Sequence, residues 1–494
     1  MFHRALQNHL GLRSMSSSSS PLRAQSSYGQ RSLWLRTKRE DAAQVVLARF
    51  ASWEADELRR KRLKVVFEGE DGIDSGGLAR DLFSIVSDAL VAAGSSPSSS
   101  ASELSTSGAA DASGGGGGGT GGVKDVFGGI RFFRPANSSS DSGNSGSGVV
   151  EIEPNGGGSR MQWKAVGRFL GKALVDRQLV PGLPLSQPLR KQLLGKTQVE
   201  LSDLRAVDAA LHQSLSWALQ NPIQGVLFET FSVETAVTVN AIDKNKANNT
   251  GSEGGGGGGD GDVKGGGAGA GVVDLVENGR SIEVTDANKQ EWASLKVAWV
   301  LEHRVGSELE ALKVGLEEVV EPKLLAPFNE DELERLLIGE PSVDVDEVRA
   351  FADFQGELKS DDAPVLWLWE YWKSLPGGAS SSVGNFAANK PPSSVAHEPS
   401  SSPPSSSSPS SSSFSRGDLL RFVTGSSRTP LDGFDPPFCV VGGGSLSRGA
   451  LPRAHTCFNQ LVLPHGLKSF EELARKFDDA LAHTRADNGG FFMT

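Results

Sequence analysis

Two cysteines stand in this sequence of 494 residues, Cys439 and Cys457, and neither sits in a CxxC pair or a Cys/His spacing suited to zinc. No disulfide framework, metal or cofactor is therefore expected, the compartment is expected to be reducing, and any sulfur chemistry rests on one thiol. Cys439 lies in the apolar run 438–441 and reads as strand filler. Cys457 stands in His455-Thr456-Cys457-Phe458-Asn459, where a thiol is either a small buried hydrophobe or a nucleophile. In an extended segment His455 and Cys457 face the same side. The histidine then either helps to place an incoming group and tune the thiol, or merely packs against the loop. Thr456 and Asn459 read as loop-shaping residues.

Composition narrows the classes. A formal charge of −11 argues against a nucleic-acid binder, which needs a concentrated basic face. The basic run 59–64 reads as a solvated junction between a helix and a strand. No stretch approaches the ~20 apolar residues of a membrane span. Residues 1–39 carry Arg4, Arg13, Arg23, Arg31, Arg36 and Arg39 but no acid, the composition of a mitochondrial transit peptide. A disordered leader over 1–31 and a cytoplasmic protein is the expectation, with mitochondrial targeting as the alternative.

The 60 glycines and long serine runs concentrate in 94–122, 137–148, 248–271 and 376–413. Apolar periodicity resumes on either side of each, so these segments read as solvated, disordered insertions into one domain. Val45, Leu47, Phe50 and Trp53 predict a helix within 33–58, and 63–67 a strand. Further helices are predicted after Gly77 and over 161–180, 208–220, 286–301, 308–320, 330–338, 363–374 and 470–482. Strands are predicted at 236–239, 281–284, 438–441 and 457–463. The class is α-rich α+β.

Seven motifs then follow one another in a familiar order: 63–77 (LKVVFEGEDGIDSGG); 166–174 (VGRFLGKAL); Val207 and Asp208 with Leu211, Ser214, Leu215 and Trp217; 278–285 (NGRSIEVT); 328–333 with 336–339; 422–430 (FVTGSSRTP); and 451–461 (LPRAHTCFNQL). This series resembles the HECT-type ubiquitin ligase family, over residues 33–494 apart from the insertions. The resemblance implies a bilobal fold: a larger, mostly helical N-lobe over 32–339, a hinge near 339–342, and a smaller α/β C-lobe over 343–494. It implies that Cys457 accepts ubiquitin as a thioester from a conjugating enzyme and passes it to a substrate lysine. A thiol suits that task, because one thioester exchanges for another at little free-energy cost and the acyl group stays activated.

The resemblance also points to Asp74 as the carboxylate that orients the attacking lysine; the alternative is an Asp that stabilises its own turn. Phe491 matches the family's aromatic that docks back near the terminus, although Phe492 stands where a small residue is usual. Leu211, Ser214 and Leu215, joined by Trp292, match the groove for the conjugating enzyme. Taken alone, Leu211, Leu215 and Leu219 at i, i+4 and i+8 are more often core than interface. The chain departs from the family in a shorter segment between Phe422 and Cys457 and in the serine-rich stretch after Trp372. Two rival functions stay open: an inactive scaffold that binds ubiquitin or its conjugating enzyme, and a cysteine hydrolase pairing Cys457 with a distant histidine. No substrate-reading module is recognisable, so an adaptor or a longer chain is expected to supply recognition.

Overall fold

The computed structural model describes residues 32–70, 76–92, 126–136, 149–154, 156–196, 198–235, 271–356, 358–377, 414–443 and 450–486. Its first element arises from a period of two: Leu33, Leu35 and Thr37 are buried while Trp34 and Arg36 are exposed. They form strand β1 (Ser32–Thr37), parallel to β2 (Arg62–Phe67). The helix expected over 33–58 is corrected accordingly. Its spacing holds only for α1 (Ala42–Ser52); the chain is extended at Trp53, and α2 (Ala55–Arg60) follows.

Helix α3 (Gly77–Ala92), the antiparallel pair β3 (Phe133–Pro135) and β4 (Val150–Ile152), α4 (Arg160–Asp176) and α5 (Gln187–Leu193) come next. After them run α6 (Leu204–Val207), α7 (Ala209–Gln220), the antiparallel pair β5 (Ser232–Thr235) and β6 (Gly271–Asp274), and α8 (Lys289–Leu301). Helices α9 (Gly306–Val319), α10 (Pro322–Leu325) and α11 (Glu330–Ile338) complete this part. One hydrophobic core gathers side chains from Leu33 to Leu193 and again from Val305 to Ile338. A separate core, Leu204 to Leu301, occupies the gap between them.

The motif 166–174 explains itself in α4, whose first turn is closed by a Ser159–Gln162 capping box. At Gly167 a Cβ would stand 1.9 Å from the Leu312 carbonyl oxygen, and at Gly315 one would stand 2.0 Å from that of Lys164, so α4 and α9 touch backbone to backbone. Arg168 donates to the carbonyls of Phe50, Ala51 and Trp53, which end α1, and pairs with Glu318 at 2.6 Å. Lys172, fully buried, donates to the Lys61 carbonyl and pairs with Asp176 at 2.9 Å, and Asp176 accepts the Leu63 N–H at 3.1 Å. Burial pulls the Lys172 ammonium below its ordinary range, and Asp176 opposes this. The buried pair thereby anchors the start of β2.

A further core, Val343 to Leu481, is built on α12 (Val345–Ala350), β7 (Asp353–Gln355), α13 (Ala363–Ser374), α14 (Arg416–Thr424), β8 (Cys439–Gly443), β9 (Arg453–His455), β10 (Gln460–Pro464) and α15 (Phe470–Ala486). The strands form one sheet in the order β7-β8-β10-β9, parallel except for the β9/β10 pair. Trp369 and Trp372 stack beside Phe438, and the Tyr371 hydroxyl donates to Asp478 at 2.7 Å to tie α13 to α15. The architecture is α+β, as expected.

Two predicted strands are corrected. Over 281–284, Asn278 adopts a left-handed conformation (φ 58°) and Gly279–Ser281 forms a 3₁₀ turn, leaving only a bridge from Glu283 to Thr230. Over 457–463 the strand begins at Gln460. The strand predicted at 236–239, the leader 1–31 and the insertions 94–122, 137–148, 248–270 and 378–413 lie outside the described residues. Gly271 belongs to β6, and Pro376 accepts the Arg416 N–H at 3.0 Å, so the insertions are shorter at these ends than the sequence implied. Among the described residues no helix is long and apolar enough to cross a membrane.

Lys172→Ala, which strands Asp176, is expected to cost ~3–5 kcal/mol in chemical denaturation. Arg160→Ala, which breaks a pair that is 67% and 62% exposed, is expected to cost under ~1 kcal/mol. Equal costs would contradict the role given to the buried pair.

Candidate active site

Strands β9 and β10 are antiparallel with His455 opposite Gln460, so the residues between must reverse the chain. Thr456–Phe458 does this as a single 3₁₀ turn, and Asn459 closes it in the left-handed conformation (φ 49°), which asparagine tolerates better than most residues. Its side chain is completely buried, and both of its polar atoms are engaged. Nδ2 donates to the Pro436 carbonyl at 2.6 Å, and Oδ1 accepts from Arg80 Nη1 at 2.8 Å. On the backbone, the Asn459 N–H reaches the Thr456 carbonyl at 3.3 Å, and its carbonyl accepts the Cys439 N–H at 2.9 Å. The turn carrying Cys457 is thereby tied to β8 and to the loop before it.

Cys457 is half-buried, and its neighbour across the chain is Gly77, the first residue of α3. A Cβ at Gly77 would stand 2.6 Å from Cys457 Sγ and 2.8 Å from its Cα, a separation no side chain accommodates. The sulfur thus sits by the amino-terminal, positive end of a 16-residue helix. Arg80, one turn further along α3, donates from Nη1 to the carbonyls of Thr424 and Thr456, the latter at 3.2 Å, as well as to Asn459. Burial lowers its guanidinium pKa from the ordinary value, and the Cys457 sulfur opposes that shift. Cys439 is buried at the start of β8, and burial pushes its thiol up.

The structure gathers some of the residues singled out in the sequence and disperses others. His455 is exposed at the end of β9. Because the chain turns at Thr456 instead of continuing extended, the same-side argument for His455 and Cys457 does not hold. Asp74 and Phe491 lie outside the described residues. Leu215 (1% exposed) and Trp292 (3%) are interior residues of the core between Leu204 and Leu301. Leu211 is half-buried and Ser214 exposed, its hydroxyl donating to the Ala210 carbonyl at 2.9 Å. The same part of the molecule exposes Trp217 (47%), Val226 (63%) and Phe228 (89%). Val226 and Phe228 were missed because the stretch 221–228 has turn signals and no period. An aromatic in such a stretch, with no core face to occupy, is the signal that finds it.

Arg80 and Gly77 were missed as site residues too, although both adjoin or fall within the opening motif. Nothing in their local spacing indicates a partner more than 370 residues away, as Thr456 and Asn459 are from Arg80.

The family model described as HECT-domain (ubiquitin-transferase) matches residues 130–378 and 410–489. The chain is 27% identical over 462 residues to E3 ubiquitin-protein ligase RSP5 of Chaetomium thermophilum, covering 91% of this chain and 42% of that protein. It is 26% identical over 456 residues to E3 ubiquitin-protein ligase RSP5 of Saccharomyces cerevisiae, covering 90% and 42%. To E3 ubiquitin-protein ligase TOM1-like of Neurospora crassa it is 28% identical over 418 residues, covering 83% of this chain and 8% of that protein. The chain thus spans less than half the length of these relatives. On the extent of the match and the order of the motifs that carry it, the chain belongs to the HECT-domain (ubiquitin-transferase) family.

Proposed function

We propose that this protein is a ubiquitin-protein ligase in which Cys457 accepts ubiquitin from a conjugating enzyme and transfers it to a substrate lysine. The observation that carries the proposal is the contrast between the two cysteines. Cys457 is half-buried on a turn held by a buried asparagine beside a helix amino terminus, whereas Cys439 is buried strand packing. In the first step the Cys457 thiolate attacks the thioester carbonyl of the charged conjugating enzyme. A new C–S bond forms, the old one breaks, and the partner's cysteine leaves as thiolate. In the second step a neutral lysine amine attacks that carbonyl, a C–N bond forms, the C–S bond breaks with Cys457 leaving as thiolate, and the proton lost from the nitrogen passes to that thiolate or to water. Asp74, three residues before Gly77, is the carboxylate proposed to orient the amine; His455 and Phe491 are proposed to support transfer.

The division of the cores on either side of residues 339–342 supports an N-lobe over 32–339 and a C-lobe over 343–494 joined by a short hinge. The Gly- and Ser-rich composition of the insertions supports their being solvated, disordered loops. Trp217, Val226 and Phe228, beside the half-buried Leu211, supply exposed apolar surface suited to a conjugating enzyme. A thiol that must stay reduced favours a cytoplasmic site of action.

Incubation with ubiquitin, activating enzyme, conjugating enzyme and ATP is expected to give a thiol-sensitive ubiquitin adduct on non-reducing gels. Cys457→Ser is expected to remove the thiol-sensitive adduct and Cys439→Ser to keep it; a thiol-sensitive adduct that survives Cys457→Ser, or none from the unaltered protein, contradicts the proposal. Phe228→Ala with Trp217→Ala is expected to slow loading at least ~10-fold at low concentrations of conjugating enzyme. Unchanged loading would remove that surface from the docking site.

A further inference from the structure

We propose that Arg80 is a positioning residue for the discharge step, clamping the Cys457 turn onto the amino-terminal end of α3 while the acyl group passes to the acceptor amine. The inference rests on the ligase reading above and assigns a part of it to a residue outside the cysteine's own neighbourhood in sequence. Arg80 belongs to a helix whose Leu78, Leu82 and Phe83 are fixed in the first core, yet its acceptors all lie on the side of the core between Val343 and Leu481. They are the Thr424 carbonyl at the end of α14, the Thr456 carbonyl beside the cysteine, and the Asn459 side chain.

Each acceptor does something specific. Thr456 is the first residue of the turn that holds Cys457, and Asn459 closes that turn, so the guanidinium grips both of its ends. Gly77 brings backbone against the sulfur where any Cβ would collide. The face of α3 that carries Gly77 and Arg80 also carries Asp81 and Asp88. Burial raises both carboxyl groups; at Asp81 the ion pair with Arg39 opposes the rise most and Arg421 of α14 least, while at Asp88 the opposing charge is Arg421. Arg421 thus adds a positive charge on the α14 side, near Asp88 of α3.

That contact is incompletely filled. A cavity of about 140 Å³ opens beside Arg80, lined by charged residues such as Arg62, Asp176 and Asp435 and by apolar ones such as Leu336, Leu431 and Phe434. A seam clamped by hydrogen bonds across an incompletely filled gap separates and re-forms more readily than a fully packed hydrophobic one. The two half-reactions ask for such a seam. Loading requires the sulfur to be presented to another protein, while discharge requires the thioester to be held still against an attacking amine. Arginine suits the clamp because its planar, permanently charged group serves several oxygens at once; a lysine ammonium keeps the charge but loses the fork.

The test separates the half-reactions in single-turnover assays. Pre-charged conjugating enzyme measures loading of Cys457, and a chase of the isolated adduct with free lysine measures discharge. Arg80→Ala and Arg80→Lys are both expected to slow discharge at least ~10-fold while loading falls less than ~2-fold. Arg421→Ala, which weakens the same seam away from the turn, is expected to slow discharge in the same sense by a smaller factor. Urea midpoints of all three variants accompany the rates. Discharge at the unaltered rate in both Arg80 variants overturns the proposal. So does a parallel fall of loading and discharge, which marks a merely structural residue, and so does full rescue by lysine. If the unaltered protein does not load, the ligase reading itself fails and the role of Arg80 goes with it.

Discussion

Asn459 makes the Cys457 turn possible by satisfying, from one buried position, four demands at once. Its backbone takes the left-handed conformation that ends the turn, its carbonyl holds β8, its amide nitrogen holds the loop at Pro436, and its amide oxygen receives Arg80. A buried carboxamide left with an empty donor or acceptor costs roughly 1–3 kcal/mol, so the arrangement is favourable only when every partner is present. The shape of the turn, the exposure of the sulfur and the contact with α3 are consequently one structure and not three. Moving any one of them strands a polar atom in another.

The same logic of buried polar groups with defined partners runs through the core from Leu33 to Ile338. Arg168 closes the end of α1 and Lys172 anchors β2, with carbonyls and carboxylates as their acceptors. These contacts fix α4 and, through its glycine contact with α9, the frame that carries α3. A cysteine turn that docks on α3 needs that helix to be immobile. The motif 166–174 thus holds still the helix on which the turn docks, while the residues between Leu204 and Leu301 form a core of their own, tied to the first through Gln192 and Lys191.

Much of this was legible in the sequence, and what was not has physical reasons. Long amphipathic helices such as α4, α9 and α11 declare themselves through their period and, for α4 and α11, through capping boxes at Ser159 and Asn329. Strand β1 was missed because Leu33 and Leu35 precede a helix whose stronger period absorbed them. Spacing could not tell whether Leu215 faces a core or a partner, because apolar residues a helical turn apart look alike in both cases; its burial, like that of Trp292, is a fact of the fold. Cys457 was identified from its five-residue context, but its surroundings were not. Arg80 and Gly77 reach it across more than 370 residues of chain, and no local pattern encodes such a meeting.

The central claim is that one sulfur, that of Cys457, carries the acyl group. Peptide mapping by mass spectrometry of the charged protein, digested without reductant at mildly acidic pH, locates the adduct directly. The account predicts the ubiquitin remnant on the peptide containing Cys457 and its loss on treatment with thiol. A remnant found only on Cys439 or on lysines, with the Cys457 peptide unmodified, would contradict it.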